Sequence, residues 1–134
     1  MFKNLLPFLM LITSSLSYDY INYNECLATG QKIVSPNKCF ALMMQYDGNL
    51  VLYRVSDAKV MWFTNTQDKG TFKACMQEDG NFVTYAPNGR YTWASNTVGN
   101  NKASLKLQDD GNLVMNAFNS KDMVWSTKTQ MSCN

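Results

Sequence analysis

The chain has 134 residues, with 12 Lys and Arg against 10 Asp and Glu, and no histidine. That length holds one domain. A net charge of +2 with no basic run excludes the positive stripe that sequence-independent nucleic-acid binding needs, and the missing histidine excludes the usual His-dependent catalytic triads.

Residues 1–17 differ in kind from the rest. Lys3 is their only charge, an apolar stretch runs from Leu5 to Ile12, and Thr13-Ser14-Ser15-Leu16-Ser17 follows. Small residues at Ser15 and Ser17 predict a secretory signal peptide cut before Tyr18. The stretch is interrupted by Pro7 and falls far short of the roughly 20 apolar residues that span a bilayer. A secreted chain over 18–134, without membrane insertion, is the expectation.

That chain keeps Cys26, Cys39, Cys75 and Cys133. An even count in an exported domain predicts two disulfides, with three connectivities open. With no Cys-x-x-Cys pair and no histidine, a zinc site is not expected. Cys26 and Cys133 stand near the two ends and could staple the termini. A Cys133 left over would instead offer an intermolecular bridge, leaving a homo-oligomer open.

Next comes Lys32-Ile33-Val34, then the turn signal Ser35-Pro36-Asn37-Lys38, then Cys39-Phe40. From there the chain repeats. Gln-x-Asp-Gly-Asn-x-Val starts at Gln45, Gln77 and Gln108, each copy followed by a Trp-x-x-x-Thr string: Trp62 to Thr66, Trp93 to Thr97, Trp125 to Thr129. The units read as about 31–66, 67–97 and 98–129, a threefold internal repeat. Apolar residues alternate within each unit, a strand signal. A three-residue hairpin loop wants Gly last, which makes Tyr46-Asp47-Gly48 the loop and sets Gln45 opposite Asn49. Period two then puts Leu42, Met44, Leu50 and Leu52 on one face and Gln45, Asn49, Val51 and Tyr53 on the other.

The same register sends Ala74, Met76 and Phe82 inward in the second copy, with Thr84 a weak member. In the third it does so for Leu105, Leu107, Leu113 and Met115. A third strand in each unit carries the Trp. No unit can bury its apolar face alone, so the three should pack around a shared axis with the tryptophans as central filling. No helix is expected, because glycines and Pro87 break every candidate window.

The opposite face reads as solvent-facing. Asp supplies a charge-assisted acceptor, Gln and Asn both donate and accept, Tyr adds a hydroxyl and Val an apolar patch. A polyol wants that combination. Asp-Gly-Asn is also a common hairpin turn, but Gln45 and Tyr53 have no turn duty, and the full set returns at Gln77, Asp79, Asn81, Val83 and Tyr85.

Gln45-x-Asp47-x-Asn49-x-Val51-x-Tyr53 and its second copy resemble, in full, the motif of the bulb-type, monocot mannose-binding lectins, as do the Trp-x-x-x-Thr strand ends and Leu27-x-x-Gly30. The resemblance covers about residues 25–129. It implies an all-β β-prism II fold of three four-stranded antiparallel sheets with pseudo-threefold symmetry, one sugar site per sheet and no cofactor or metal. It further implies that Asp and Asn bind the axial 2-hydroxyl of mannose, Gln binds O3, Tyr binds O4 and Val packs on the ring. The third copy keeps Gln108, Asp110, Asn112 and Val114 but has Asn116 in place of Tyr, so two competent sites and one weak one are expected. The family's disulfide has a Cys where this chain has Gly48, so that bridge is not available.

The implied function is a secreted lectin for mannose-rich glycans or glycoproteins, used in defence. The alternative is a non-catalytic scaffold of the same fold that binds a protein through vestigial sites. An enzyme is not expected. Glycosidase chemistry needs two carboxyl groups flanking one bond, and no second acid recurs in register: Glu78 and Asp109 precede the motif Asp, but Tyr46 does so in the first copy.

Overall fold

In a computed structural model that describes residues 18–134, twelve short strands form three four-stranded antiparallel sheets, with no helix among the described residues. The expected signal segment, 1–17, lies outside the described residues.

Sheet I is the contiguous run β3 (Lys32–Val34), β4 (Phe40–Met44), β5 (Leu50–Arg54) and β6 (Lys59–Phe63). Sheet II joins β2 (Glu25–Ala28) to β7 (Lys73–Met76), β8 (Phe82–Tyr85) and β9 (Tyr91–Ala94). Sheet III joins β1 (Tyr20–Ile21) to β10 (Ser104–Leu107), β11 (Leu113–Asn116) and β12 (Met123–Ser126). The segment before the first hairpin thus deals one edge strand to each sheet. Sheets II and III take their fourth strand from outside their own repeat.

Register follows the alternation. Met44 stands opposite Leu50, Leu42 opposite Leu52, and the Gln45 amide donates to the Asn49 carbonyl at 2.9 Å to close the hairpin. The inward rows of the three sheets fuse into one core: Ile33, Phe40, Leu42, Met44, Leu50 and Leu52 from sheet I, Leu27, Ala74, Met76 and Phe82 from sheet II, and Ile21, Leu105, Leu107, Leu113 and Met115 from sheet III. Each of these side chains except the small Ala74 contributes about 1.5–3 kcal/mol when fully buried. Trp62, Trp93 and Trp125 meet edge to face on the axis, with ring centroids 5.4, 5.9 and 6.1 Å apart, a geometry the aromatic quadrupole favours.

Each Trp strand carries a bulge one step from the Trp. The extra residues are Met61, Thr92 and Val124, and Met61 and Val124 turn against the core beside their tryptophans. Thr84 is fully buried, so it is a full member of the inward face. The bulge supplies its partner: the Thr84 and Thr92 hydroxyls share a hydrogen bond of 2.8 Å, and Thr92 shares another of 2.8 Å with Thr71.

The disulfides are Cys26–Cys75 and Cys39–Cys133. The terminal staple between Cys26 and Cys133 therefore does not form, and Cys133 is not left for an intermolecular bridge. Cys26 sits on β2 directly across from Cys75 on β7, whereas the tail reaches the turn before β4. The Arg54 guanidinium there donates to the Ser132 carbonyl at 3.3 Å. Closing loops of 49 and 94 residues stabilises by about 4 and about 5 kcal/mol in the chain-entropy picture.

Candidate functional site

The repeated polar residues gather on the outer face of each sheet, around its central hairpin. Gly48, Gly80 and Gly111 hold φ of 93°, 92° and 90°, the left-handed turn that ends each three-residue loop. The preceding Asp caps the loop, with Oδ1 of Asp47, Asp79 and Asp110 accepting the amide of Asn49, Asn81 and Asn112 at 2.9, 3.0 and 3.0 Å.

Asn has a second task that the sequence did not reveal. Asn49 Oδ1 accepts from the Thr64 hydroxyl at 3.3 Å and the Thr66 amide at 3.2 Å, while the Thr66 hydroxyl donates to the Gly48 carbonyl at 2.7 Å. Sheet II repeats this with Asn81, Ser95, Thr97 and Gly80, and sheet III with Asn112, Thr127, Thr129 and Gly111. Asn65, Asn96 and Lys128, with φ of 61°, 60° and 55°, kink the backbone between the two hydroxyl residues. The signal in the sequence is Ser/Thr-x-Thr, two residues after each Trp.

This clamp fixes the amide orientation three times over. With Oδ1 spent on the third strand, Nδ2 of each Asn points away as a pair of donors and has no protein acceptor among the described residues. Beside it, the second oxygen of Asp79 and of Asp110 has no donor among the described residues, and that of Asp47 receives only Gln45 Nε2 at 3.3 Å. A donor next to an anionic acceptor matches a hydroxyl, which gives one hydrogen bond and takes another.

The far ends of the three faces differ. In sheet II, Gln77 Nε2 donates to the Tyr85 hydroxyl, leaving the phenol proton to donate outward. In sheet I, Gln45 turns to Asp47 at 3.2 Å and the Tyr53 hydroxyl has only a 4.0 Å contact with Met43 Sδ. In sheet III, Asn116 lies between Ser104 and Met123 and no phenol stands at that position. Gln108 finds no side-chain partner among the described residues.

Asn112 is only 3% exposed, and Val51, Val83 and Val114 are 5%, 3% and 4% exposed, so the expectation that these four face solvent is corrected. The valines do point to the outer face, but neighbouring rows close over them: Met43 and Phe63 in sheet I, Cys75 and Ala94 in sheet II, Lys106 and Ser126 in sheet III. Each valine is a sunken floor. The acids before the motif Asp are engaged in packing. Glu78 Oε1 accepts from Asn24 Nδ2 at 3.0 Å, and Asp109 Oδ1 accepts from the Asn37 amide at 2.8 Å.

No protein-family model matches the chain. The mannose-specific lectin of Galanthus nivalis is 44% identical to it over 85 residues, 60% of this chain and 50% of that protein. The chain thus spans about half the length of that curated relative. Two solved structures are covered almost whole. The monomeric monocot mannose-binding lectins from Gastrodia elata superimpose with a TM-score of 0.74 at 32% identity, over 84% of this chain and 99% of theirs. The snowdrop mannose-specific agglutinin complexed with methyl-α-D-mannoside gives a TM-score of 0.69 at 36% identity, over 85% and 99%. Similarity of this extent, carried by the same three sheets, places the chain in the bulb-type, monocot mannose-binding lectin family.

Proposed function

We propose that the chain is a secreted, non-catalytic lectin that recognises mannose-rich glycans through two competent sites: Gln45, Asp47, Asn49, Val51 and Tyr53 on sheet I, and Gln77, Asp79, Asn81, Val83 and Tyr85 on sheet II. One observation carries the reading. On each of these faces a clamped Asn aims its amide nitrogen outward beside a carboxylate oxygen, with a tyrosine hydroxyl at the other end of a valine floor. An axial hydroxyl seated between Asp and Asn would donate to one and accept from the other. Glucose, whose 2-hydroxyl is equatorial, would leave that pair unmatched, and unpaired polar groups in a site are costly.

The sheet III face, with Gln108, Asp110, Asn112 and Val114, keeps the hydroxyl seat but lacks the phenol, so it is the weak site. Open seats of this kind hold single sugars loosely, and useful strength comes from several engaging one multivalent glycan. Recognition of foreign cell-surface mannans, as defence, is the role such avidity suits.

Binding of chain 18–134 to immobilised mannan tests the proposal. Asp47→Asn with Asp79→Asn keeps an oxygen for each turn amide but replaces the free acceptor with a donor. The pair should abolish mannan binding while the fold persists, and full retention would refute the assignment. Competition by free mannose addresses the scaffold alternative: a partner protein that stays bound in excess mannose would favour it.

A further inference from the structure

Among the described residues, sheet II carries an unpaired cation directly across from its motif tyrosine, whereas Lys32 on the sheet I face stands across from Met43, two strands from Tyr53, and Lys102 near sheet III lies over Tyr23 and Phe118. Lys73 on β7 stands directly across from Tyr85, so both side chains project from the outer face. Ala41 and Ser104 hold the corresponding places opposite Tyr53 and Asn116. The ammonium lies 5.5 Å from the Phe72 ring centroid and 5.8 Å from that of Tyr85, within cation–π range of two rings that steady its long stem. On its other side β2 offers only Ala28. Among the described residues no carboxylate lies within ion-pair distance of Lys73. The nearby acids face other partners: Glu25 accepts from the Asn22 amide and Glu78 from Asn24, both at the hairpin end. The outer-face cation of sheet III, Lys106, differs because Asp19 already pairs with it.

We propose that the sheet II site takes an anionic mannoside, a pyranose bearing a phosphate or carboxylate group, and that Lys73 is its specificity-determining residue. The inference rests on the reading of this face as a sugar seat. A pyranose held between Asp79 and Asn81 at one end and Tyr85 at the other reaches the ammonium with whatever substituent projects past the phenol. Neighbouring strands lie about 4.8 Å apart, so a charged group there falls within reach of Lys73. An ammonium held in place and lacking a counterion gains a charge-assisted hydrogen bond on meeting one.

The test uses chain 18–134 with Asp47→Asn and Asp110→Asn, leaving the sheet II seat alone. Calorimetric titrations compare methyl α-mannoside, mannose 6-phosphate and mannuronate at low and high salt. At least one anionic sugar should bind about tenfold more tightly than the neutral one at low salt, an advantage that screening erodes. Which anion gains identifies the substituent. Lys73→Met should erase the advantage and leave neutral binding within about twofold of the parent, as expected for a residue that adds only a charge contact. Placing the cation on sheet I instead, with Ala41→Lys and only the sheet I seat intact, should create the same preference there. Equal binding of neutral and anionic sugars, or an advantage that survives Lys73→Met, overturns the proposal and leaves the mannose seat standing. Failure of all three sugars to bind removes the seat itself and the inference with it.

Discussion

Sheets II and III are built on the same hairpin and the same clamp, yet only one keeps the phenol. Asn112 is 3% exposed and holds Thr127 and Thr129 just as Asn81 holds Ser95 and Thr97. Asp110 caps its loop as Asp79 does. The repeated Asp and Asn therefore brace the hairpins whether or not a sugar ever binds. What separates the faces is the end remote from the hairpin: Tyr85 with Lys73 on one, Asn116 with Ser104 and Met123 on the other. The repeated Asp and Asn serve hairpin and seat alike, and the residue at the far edge sets how well each seat holds.

The contrast can be broken at the glycines. A Cβ on Gly80 would run into the Asn100 backbone, with the Asn100 nitrogen 2.8 Å away, whereas one on Gly111 would meet the Phe40 ring and Met61 Cε at 3.1 Å. Both positions require positive φ, so Gly111→Ala should cost about 1–2 kcal/mol and Gly80→Ala about 3 kcal/mol or more. Urea denaturation of the two variants checks the order. Equal losses would mean that the Asn100 loop yields.

A sharper cut is Asn112→Ala against Asn81→Ala. Each removes an acceptor serving one hydroxyl and one amide, and each should destabilise by about 2–3 kcal/mol. Only Asn81→Ala should also lower mannan affinity, because Asn112 serves the weak seat. Parallel binding losses would make sheet III as active as sheet II.

Asn116→Tyr rebuilds the missing wall. It should add about 1–3 kcal/mol at that seat, read as tighter binding by a variant whose other two seats carry Asp47→Asn and Asp79→Asn. No gain would mean that Met123 or Ser104 blocks the phenol.

The smallest effect belongs to sheet I. Hydrogen bonding to Arg54 lowers the Asp57 pKa from 3.8 to about 2. A carboxyl depressed on folding stabilises above its unfolded pKa and loses that contribution as pH falls through the folded value. Asp57→Asn should thus be slightly less stable than the parent at pH 5, and the two should converge as pH drops from about 4 toward 2. A constant gap down to pH 2 would contradict the pairing.

The hairpins and their two faces were legible because period two and a glycine at the left-handed position leave one register. The edge strands were not. β1 and β2 are short, lie outside the repeat, and choose partners by tertiary position. The cysteine pairing was hidden for the same reason, since Cys26 meets Cys75 only once β2 is known to join β7. The Asn clamp could have been found from the recurring Ser/Thr-x-Thr, which the longer Trp-x-x-x-Thr string masked. Lys73 gains meaning only from its neighbour across the strand, Tyr85, which no local window contains.

The way the first strands are dealt out governs how the molecule must assemble. β3 can pair with β4 as soon as its hairpin emerges, β2 must wait for β7, and β1 for β10, where Tyr20 meets Lys106 near the far end of the chain. Contacts so distant in sequence form slowly. Until they do, β7 and β10 present unpaired edges to any passing strand. A few residues at the start of the described chain thus act as its last fasteners, the sheets closing one after another in reverse order of the strands that seal them.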